Sequence, residues 1–186
     1  MKRIIILLLS LILFLTIVAY AQDIDIGAGA IDRGWYAGDT GNKRTYVSED
    51  NPANDSGTLT SFEIWAYSDI TELEVATFYE SGGEWYTRDN ESIAGTVTAG
   101  AKRTYEISLD VESGDILGIA FIGQVERMHS GDAGYPAEGY LYESGDNIPM
   151  SGFTGWDADT AYAISVYATG TTGGTTENAI FMGMNF

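Results

Sequence analysis

Tyr105–Ile122 reads YEISLDVESGDILGIAFI. In an extended chain Tyr105, Ile107, Leu109 and Val111 fall on one face and Glu106, Ser108, Asp110 and Glu112 on the other, which predicts a half-buried strand. Ser113-Gly114-Asp115 carries turn chemistry, because glycine admits positive φ and aspartate bonds its own backbone two residues on, so a hairpin or tight corner is expected there. Ile116 to Ile122 is apolar on both faces, but unequally: Leu117, Ile119 and Phe121 are large, while Gly118 and Ala120 share the other face with Ile116 and Ile122. The large set is expected to face the core, each fully buried side chain contributing roughly 1.5–3 kcal/mol. Gly118 and Ala120 leave a shallow place behind it.

Outward from this pair, short strands are expected at Asp23–Ile26, Arg44–Val47, Leu59–Tyr67, Leu73–Tyr79, Glu84–Arg88, Ser92–Thr98 and Ala161–Thr169. Glu80-Ser81-Gly82-Gly83 reads as a hairpin turn. Gly27–Gly41, Ser48–Gly57 and Gly123–Pro149 read as loops, the last with one apolar island at Gly139–Tyr142. No segment from Gln22 onward sustains a helical period. Many short strands with turn signals every 8–12 residues or so predict an all-β fold, a single antiparallel β-sandwich of jelly-roll type.

The flanks differ from this middle. Lys2-Arg3, the apolar run from Ile4 and Ala19-Tyr20-Ala21 form the pattern of a secretory signal peptide over residues 1–21, which predicts a secreted or cell-surface protein beginning at Gln22; an uncleaved anchor is the alternative. The sandwich is then expected over 22–169, a Gly/Thr linker over 170–178 and an apolar, strand-like tail over 179–186. In that tail Ile180, Met182, Met184 and Phe186 fall on one face, suited to strand addition on a neighbouring subunit.

Charge narrows the partners. The 186 residues carry 27 acidic and nine basic side chains, for a formal net charge of −18. Nucleic acid and anionic membrane surfaces are therefore not expected partners. The absence of cysteine removes disulfides and thiolate metal sites. No cofactor is expected. Calcium is the metal the composition admits, through Asp50 with Asn54 and Asp55, or Asp157 with Asp159, against the alternative that these are turn residues.

Catalysis has little material. His129 is the single histidine and no G-x-S-x-G elbow occurs. Two carboxylates would suffice for glycoside hydrolysis, but with 27 acids the sequence nominates no pair, and the chain reads as non-catalytic. Aromatic residues are the better lead. Trp65 and Tyr67 share one strand face and Tyr140 and Tyr142 another, with Arg127, His129 and Tyr135 in the long segment able to close a site. Rigid aromatic planes beside hydrogen-bonding groups suit a sugar ring, against the alternative of cross-strand packing.

The run V-E-S-G-D-I-L-G-I-A-F, Val111–Phe121, resembles the V-x-x-G-D-x-x-G-I-x-F strand pair of jelly-roll modules in secreted, carbohydrate-associated and phage-structural proteins. The resemblance covers 11 of the 186 residues and implies a sandwich used for recognition or assembly. The expectation is thus a secreted recognition or adhesion module for a glycan or cell-surface polymer. Its alternative is a structural subunit of an extracellular or virion assembly that self-associates through the tail.

Overall fold

The computed structural model describes residues 23–129 and 138–173. The expected signal segment, Tyr135 and the apolar tail with Ile180, Met182, Met184 and Phe186 lie outside the described residues.

Among the described residues twelve strands form two antiparallel sheets: β1 (Asp23–Ile26), β2 (Trp35–Ser48), β3 (Gly57–Trp65), β4 (Thr71–Ser81), β5 (Glu84–Ile93), β6 (Lys102–Val111), β7 (Ile116–His129), β8 (Gly139–Ser144), β9 (Ser151–Phe153), β10 (Asp157–Thr160), β11 (Tyr162–Ile164) and β12 (Val166–Thr172). The smaller sheet has the order β1-β12-β3-β6; the larger runs β10-β8-β2-β7-β4-β5-β9, with β11 also paired to β7. Without β8–β11, what remains is two four-stranded sheets, β1-β12-β3-β6 and β2-β7-β4-β5, the wrapped order of a jelly roll. The four added strands all lie between β7 and β12 in the chain.

The alternation in Tyr105–Ile122 is realised. Ile107, Leu109 and Val111 are buried from β6, and Leu117, Ile119 and Phe121 from β7, all in the core between the sheets. Because β6 and β7 belong to different sheets, the turn between them is a corner and not a hairpin. Asp115 fastens it: its carboxylate accepts the Glu112 N–H at 2.8 Å and the Arg88 guanidinium, with Arg88 Nη2 at 3.0 Å. Glu80–Gly83 is the hairpin expected, with Ser81 opposite Glu84 and positive φ at both Gly82 and Gly83.

Several boundaries differ from those read in the sequence. β2 begins at Trp35 and β7 continues to His129, so much of two supposed loops is paired strand. Gly38 and Gly123 explain the misreading: both have positive φ where the β2–β7 register breaks, and a Cβ on Gly38 would lie 2.3 Å from the Gly123 carbonyl oxygen. They belong to a bent strand pair, not to a loop. Ser92–Thr98 is not a separate strand; β5 ends at Ile93 and Val97 makes one bridge to Ile70. The expected strand at Ala161–Thr169 divides at Ser165, β11 pairing with β7 and β12 with β3. Gly170–Thr172 is strand and not linker, because β12 runs on beside Thr58 and Gly57, and a Cβ on Gly170 would lie 2.1 Å from the Thr58 carbonyl oxygen.

A second apolar cluster lies on the outer face of the larger sheet. Val47, Ala76, Phe78, Ile116 and Ala120 are covered there by Ile148 and Met150, with Trp85, Leu141, Phe153 and Trp156 packed around them. The shallow place at Gly118 is filled by Phe78, whose Cε2 would lie 2.4 Å from a Cβ at that position.

Candidate functional site

The strands added to the roll also build a cavity. Trp35–Tyr36-Ala37-Gly38 of β2 lies beside β7, and β8 joins the other edge of β2 from Arg44 to Ser48. Arg44 and Tyr46 of β2, Tyr140 and Tyr142 of β8, Arg127 of β7 and Asp159 of β10, with Tyr36, Ala37 and Gly38, line a space of about 240 Å³. Alternation along β8 sends Tyr140 and Tyr142 to this face and Leu141 to the outer cluster.

One wall is a ring cluster. The centroid of Tyr46 lies 5.4 Å from Tyr140, edge-on, and 6.0 Å from Tyr142, stacked. Tyr140 is only 2% exposed, so its ring is core and its hydroxyl alone serves the cavity. That hydroxyl donates to Asp159 Oδ2 at 2.8 Å and accepts from Arg127 Nη1 at 2.8 Å. Burial, then the bond to Asp159, push the Tyr140 phenol well above its ordinary range, and burial raises Tyr46 likewise. Both phenols therefore stay protonated and act as hydrogen-bonding groups. Arg127 also reaches Asp159 at 3.3 Å and lies 4.5 Å over the Tyr162 ring, which fixes its plane.

At the rim the cavity meets an exposed aromatic pair. Tyr36 is 44% exposed and Tyr67 45%, their centroids 5.0 Å apart. The chain reaches Tyr67 by leaving the smaller sheet: Ala66 bridges Val125 of β7, and the Tyr67 N–H donates to the Gln124 carbonyl at 2.9 Å. Trp35, the residue before Tyr36 in β2, is 66% exposed.

The structure thus brings together four of the residues expected to bind ligand. Tyr140, Tyr142 and Arg127 line the cavity, and Tyr67 joins them through Tyr36. Trp65 is not among the lining residues. It ends β3 half-buried, opposite Lys102, and Tyr67 lies past the end of that strand. His129 ends β7 opposite Tyr162; its side chain, like Tyr135, lies outside the described residues. Arg44, Tyr46 and Tyr36 were not singled out in the sequence. Their signal was there in the Arg44/Tyr46 alternation, but it needed the full length of β2 to be used.

The calcium candidates have other partners. Asn54 bridges β1, accepting the Asp25 N–H at 3.0 Å and donating to the Asp23 carbonyl at 3.2 Å. Asp55 accepts the Ser56 N–H at 2.8 Å, and Asp50 accepts the Glu138 N–H at 2.8 Å. Asp159 serves Arg127 and Tyr140, and Asp157 is an exposed residue of β10 opposite Tyr142. Among the described residues no group of three or more acidic or histidine side chains is placed to hold a metal ion.

No protein-family model and no curated protein matches the sequence. A solved structure of infectious bursal disease virus, Gx strain, is similar at 12% identity and a TM-score of 0.35 over 86% of this chain. The chain spans 33% of the length of that one, and a likeness at this level says nothing of what either binds.

Proposed function

We propose that this chain is a non-catalytic recognition module, exported by its leader segment, that holds a carbohydrate in the β2–β7–β8–β10 cavity. The observation that carries the reading is the continuity of that cavity with the exposed Tyr36–Tyr67 pair. Phenol hydroxyls, guanidinium groups and a carboxylate supply donors and acceptors for sugar hydroxyls, and the exposed rings of Tyr36 and Tyr67 supply apolar planes for C–H faces. The volume lies a little below the ~300–1,000 Å³ usual for small-molecule sites, which suits one ring of a longer glycan, with the next resting on the rim. The lining has one carboxylate, already engaged by Arg127 and Tyr140, so hydrolysis by paired acids is not the chemistry supported.

Tyr36→Ala should weaken glycan-array binding roughly three- to tenfold, the loss expected of one aromatic contact. Its melting temperature should fall only slightly, because the side chain is 44% exposed and lies outside the core. A folded wild type that binds no glycan on the array would end this reading.

One observation favours a second reading, a structural subunit. Ile31 at 46% exposed and Trp35 at 66% are large apolar side chains left at the surface outside the lining of the cavity. Assembly through the tail would then be lost on deletion of residues 174–186, which spares β12. An unchanged mass in light scattering with and without these residues would rule it out.

A further inference from the structure

We infer that the cavity selects an acidic sugar, a ring bearing a carboxylate, over its neutral counterpart; this rests on the carbohydrate reading above and adds the charge of the ligand. Two guanidinium groups, Arg44 and Arg127, line the one small space. The Nε atom of each is buried and has no hydrogen-bond partner. Arg127 spends Nη1 on the Tyr140 hydroxyl and Asp159, and Arg44 meets Asp39 only at 3.8 Å. Asp39 itself is held by the Gly41 N–H at 2.8 Å and by Asn42 Nδ2 at 3.2 Å.

The other described cations are engaged elsewhere. Lys43 pairs with Glu74 and Asp146 at 2.6 Å, Lys102 with Glu63 at 2.9 Å, and Arg88 with Asp115 and Glu112. Arg103 donates to the Thr98 carbonyl at 3.2 Å, and Arg33 is tied to Ser165 and to the Ala28 and Gly29 carbonyls. In a chain with a net charge of −18, the cavity is therefore where positive charge converges, two guanidiniums against the single lining carboxylate, Asp159.

A guanidinium donates a stronger hydrogen bond to a carboxylate than to a neutral hydroxyl. A carboxylate has two oxygens and four lone-pair sites, enough to accept from two guanidinium groups, and guanidinium geometry matches it better than an ammonium would. The tyrosines fit the same ligand, their hydroxyls and faces taking up the uncharged remainder of the ring.

The test is calorimetric titration of the secreted chain with trisaccharides of glucuronate, galacturonate and mannuronate, each beside its carboxyl-reduced neutral counterpart. At least one acidic member should bind about tenfold or more tightly than its neutral partner, as one charge-assisted hydrogen bond alone would give. Arg44→Gln and Arg127→Gln should each bring that ratio towards one. Equal affinity within every pair, or a preference for the neutral member, overturns the inference and leaves the carbohydrate reading standing. Absence of binding by all six overturns the inference, and if no glycan binds on the array either, the carbohydrate reading with it. A preference that survives both substitutions overturns its assignment to this cavity, and if either variant does not fold, the wild-type ratio and the other variant decide.

Discussion

The eight-stranded roll and the segment inserted between β7 and β12 use opposite means to become ordered. The roll buries aliphatic and aromatic side chains by alternation, reset in β3 by a register shift between Leu59 and Ser61, so that Leu59, Phe62 and Ile64 of β3 share one core with Leu117, Ile119 and Phe121 of β7. The insertion has little alternation of its own and is fastened to the roll piecewise. Gly145 N–H donates to the Lys43 carbonyl at 2.8 Å, Asn147 N–H to Thr45 Oγ1 at 3.0 Å and Met150 N–H to Thr87 Oγ1 at 2.8 Å. Yet the insertion supplies Tyr140, Tyr142 and Asp159 to the cavity and Ile148, Met150, Phe153 and Trp156 to the outer cluster. A stable roll lets an irregular segment carry the site, since the roll already meets most of the entropy cost of folding.

The contrast breaks most sharply at one side chain on each side of the larger sheet. Phe121→Ala removes a ring at the centre of the inner core, stacked 5.6 Å from Tyr46, and should destabilise the whole protein by about 3–5 kcal/mol in chemical denaturation. Trp156→Ala removes a half-buried ring that meets Phe153 at 5.2 Å and Phe78 at 6.5 Å, and should cost about 1 kcal/mol. Its effect on amide exchange should be confined to residues 145–156. If the two variants lost equal stability, or if Trp156→Ala raised exchange throughout β7, roll and insertion would be one cooperative unit.

Legibility follows the same division. β1, β3 and β6 could be read because one face of each is apolar and the wrong register would turn that face to solvent, and the first half of β7 because it is apolar on both. The Glu80–Gly83 hairpin could be read because Gly82-Gly83 is suited to a two-residue turn. The start of β2 could not, since Gly38 is demanded by the backbone of Gly123 and not by any burial pattern. Nor could the division at Ser165, whose hydroxyl donates to the Ile31 carbonyl at 2.6 Å and accepts from Arg33 Nε at 2.8 Å. Those partners are 132 to 134 residues away and leave no local trace. The tyrosines of the site were visible as tyrosines. What gathers them is the pairing of β8 with β2, a contact between residues 44–48 and 140–144 that no short window contains.

The smallest expected effect is the most specific to the anchoring of the insertion. Its two polar anchors respond to acid with opposite sign. At the start of β8, Asp50 is 3% exposed, accepts the Glu138 N–H through Oδ1 and leaves Oδ2 buried without a partner. Burial raises its pKa above the ordinary carboxylate value; the same cause, with Asp50 and Glu138 adding repulsion, raises Glu49. Burial also raises Glu126, which holds the Arg33 and Gly34 N–H groups inside the roll. At the end of β8, burial works against the charge of Asp146, but Lys43 and the Ile148 N–H outweigh it and hold its pKa below 3.8. For the three raised groups the folded state binds more protons than the unfolded one, so stability rises as pH falls through their folded values towards 3.8–4.5. For Asp146 the contribution is present above 3.8 and is lost as pH falls through its lower folded value. The melting temperature should therefore be higher at about pH 5 than at about pH 7.5, and exchange in residues 145–150 should quicken again at about pH 3 after correction for intrinsic rates. Relief of general charge repulsion has the first sign as well, so the control is Asp50→Asn. The amide oxygen keeps the Glu138 N–H bond while the buried charge is gone, and the variant should melt higher than wild type at about pH 7.5 and show a shallower dependence down to about pH 5. An Asp50→Asn protein that melts lower than wild type at neutral pH would show that the ionised carboxylate is needed where it stands, and that the start of β8 is held by charge and not in spite of it.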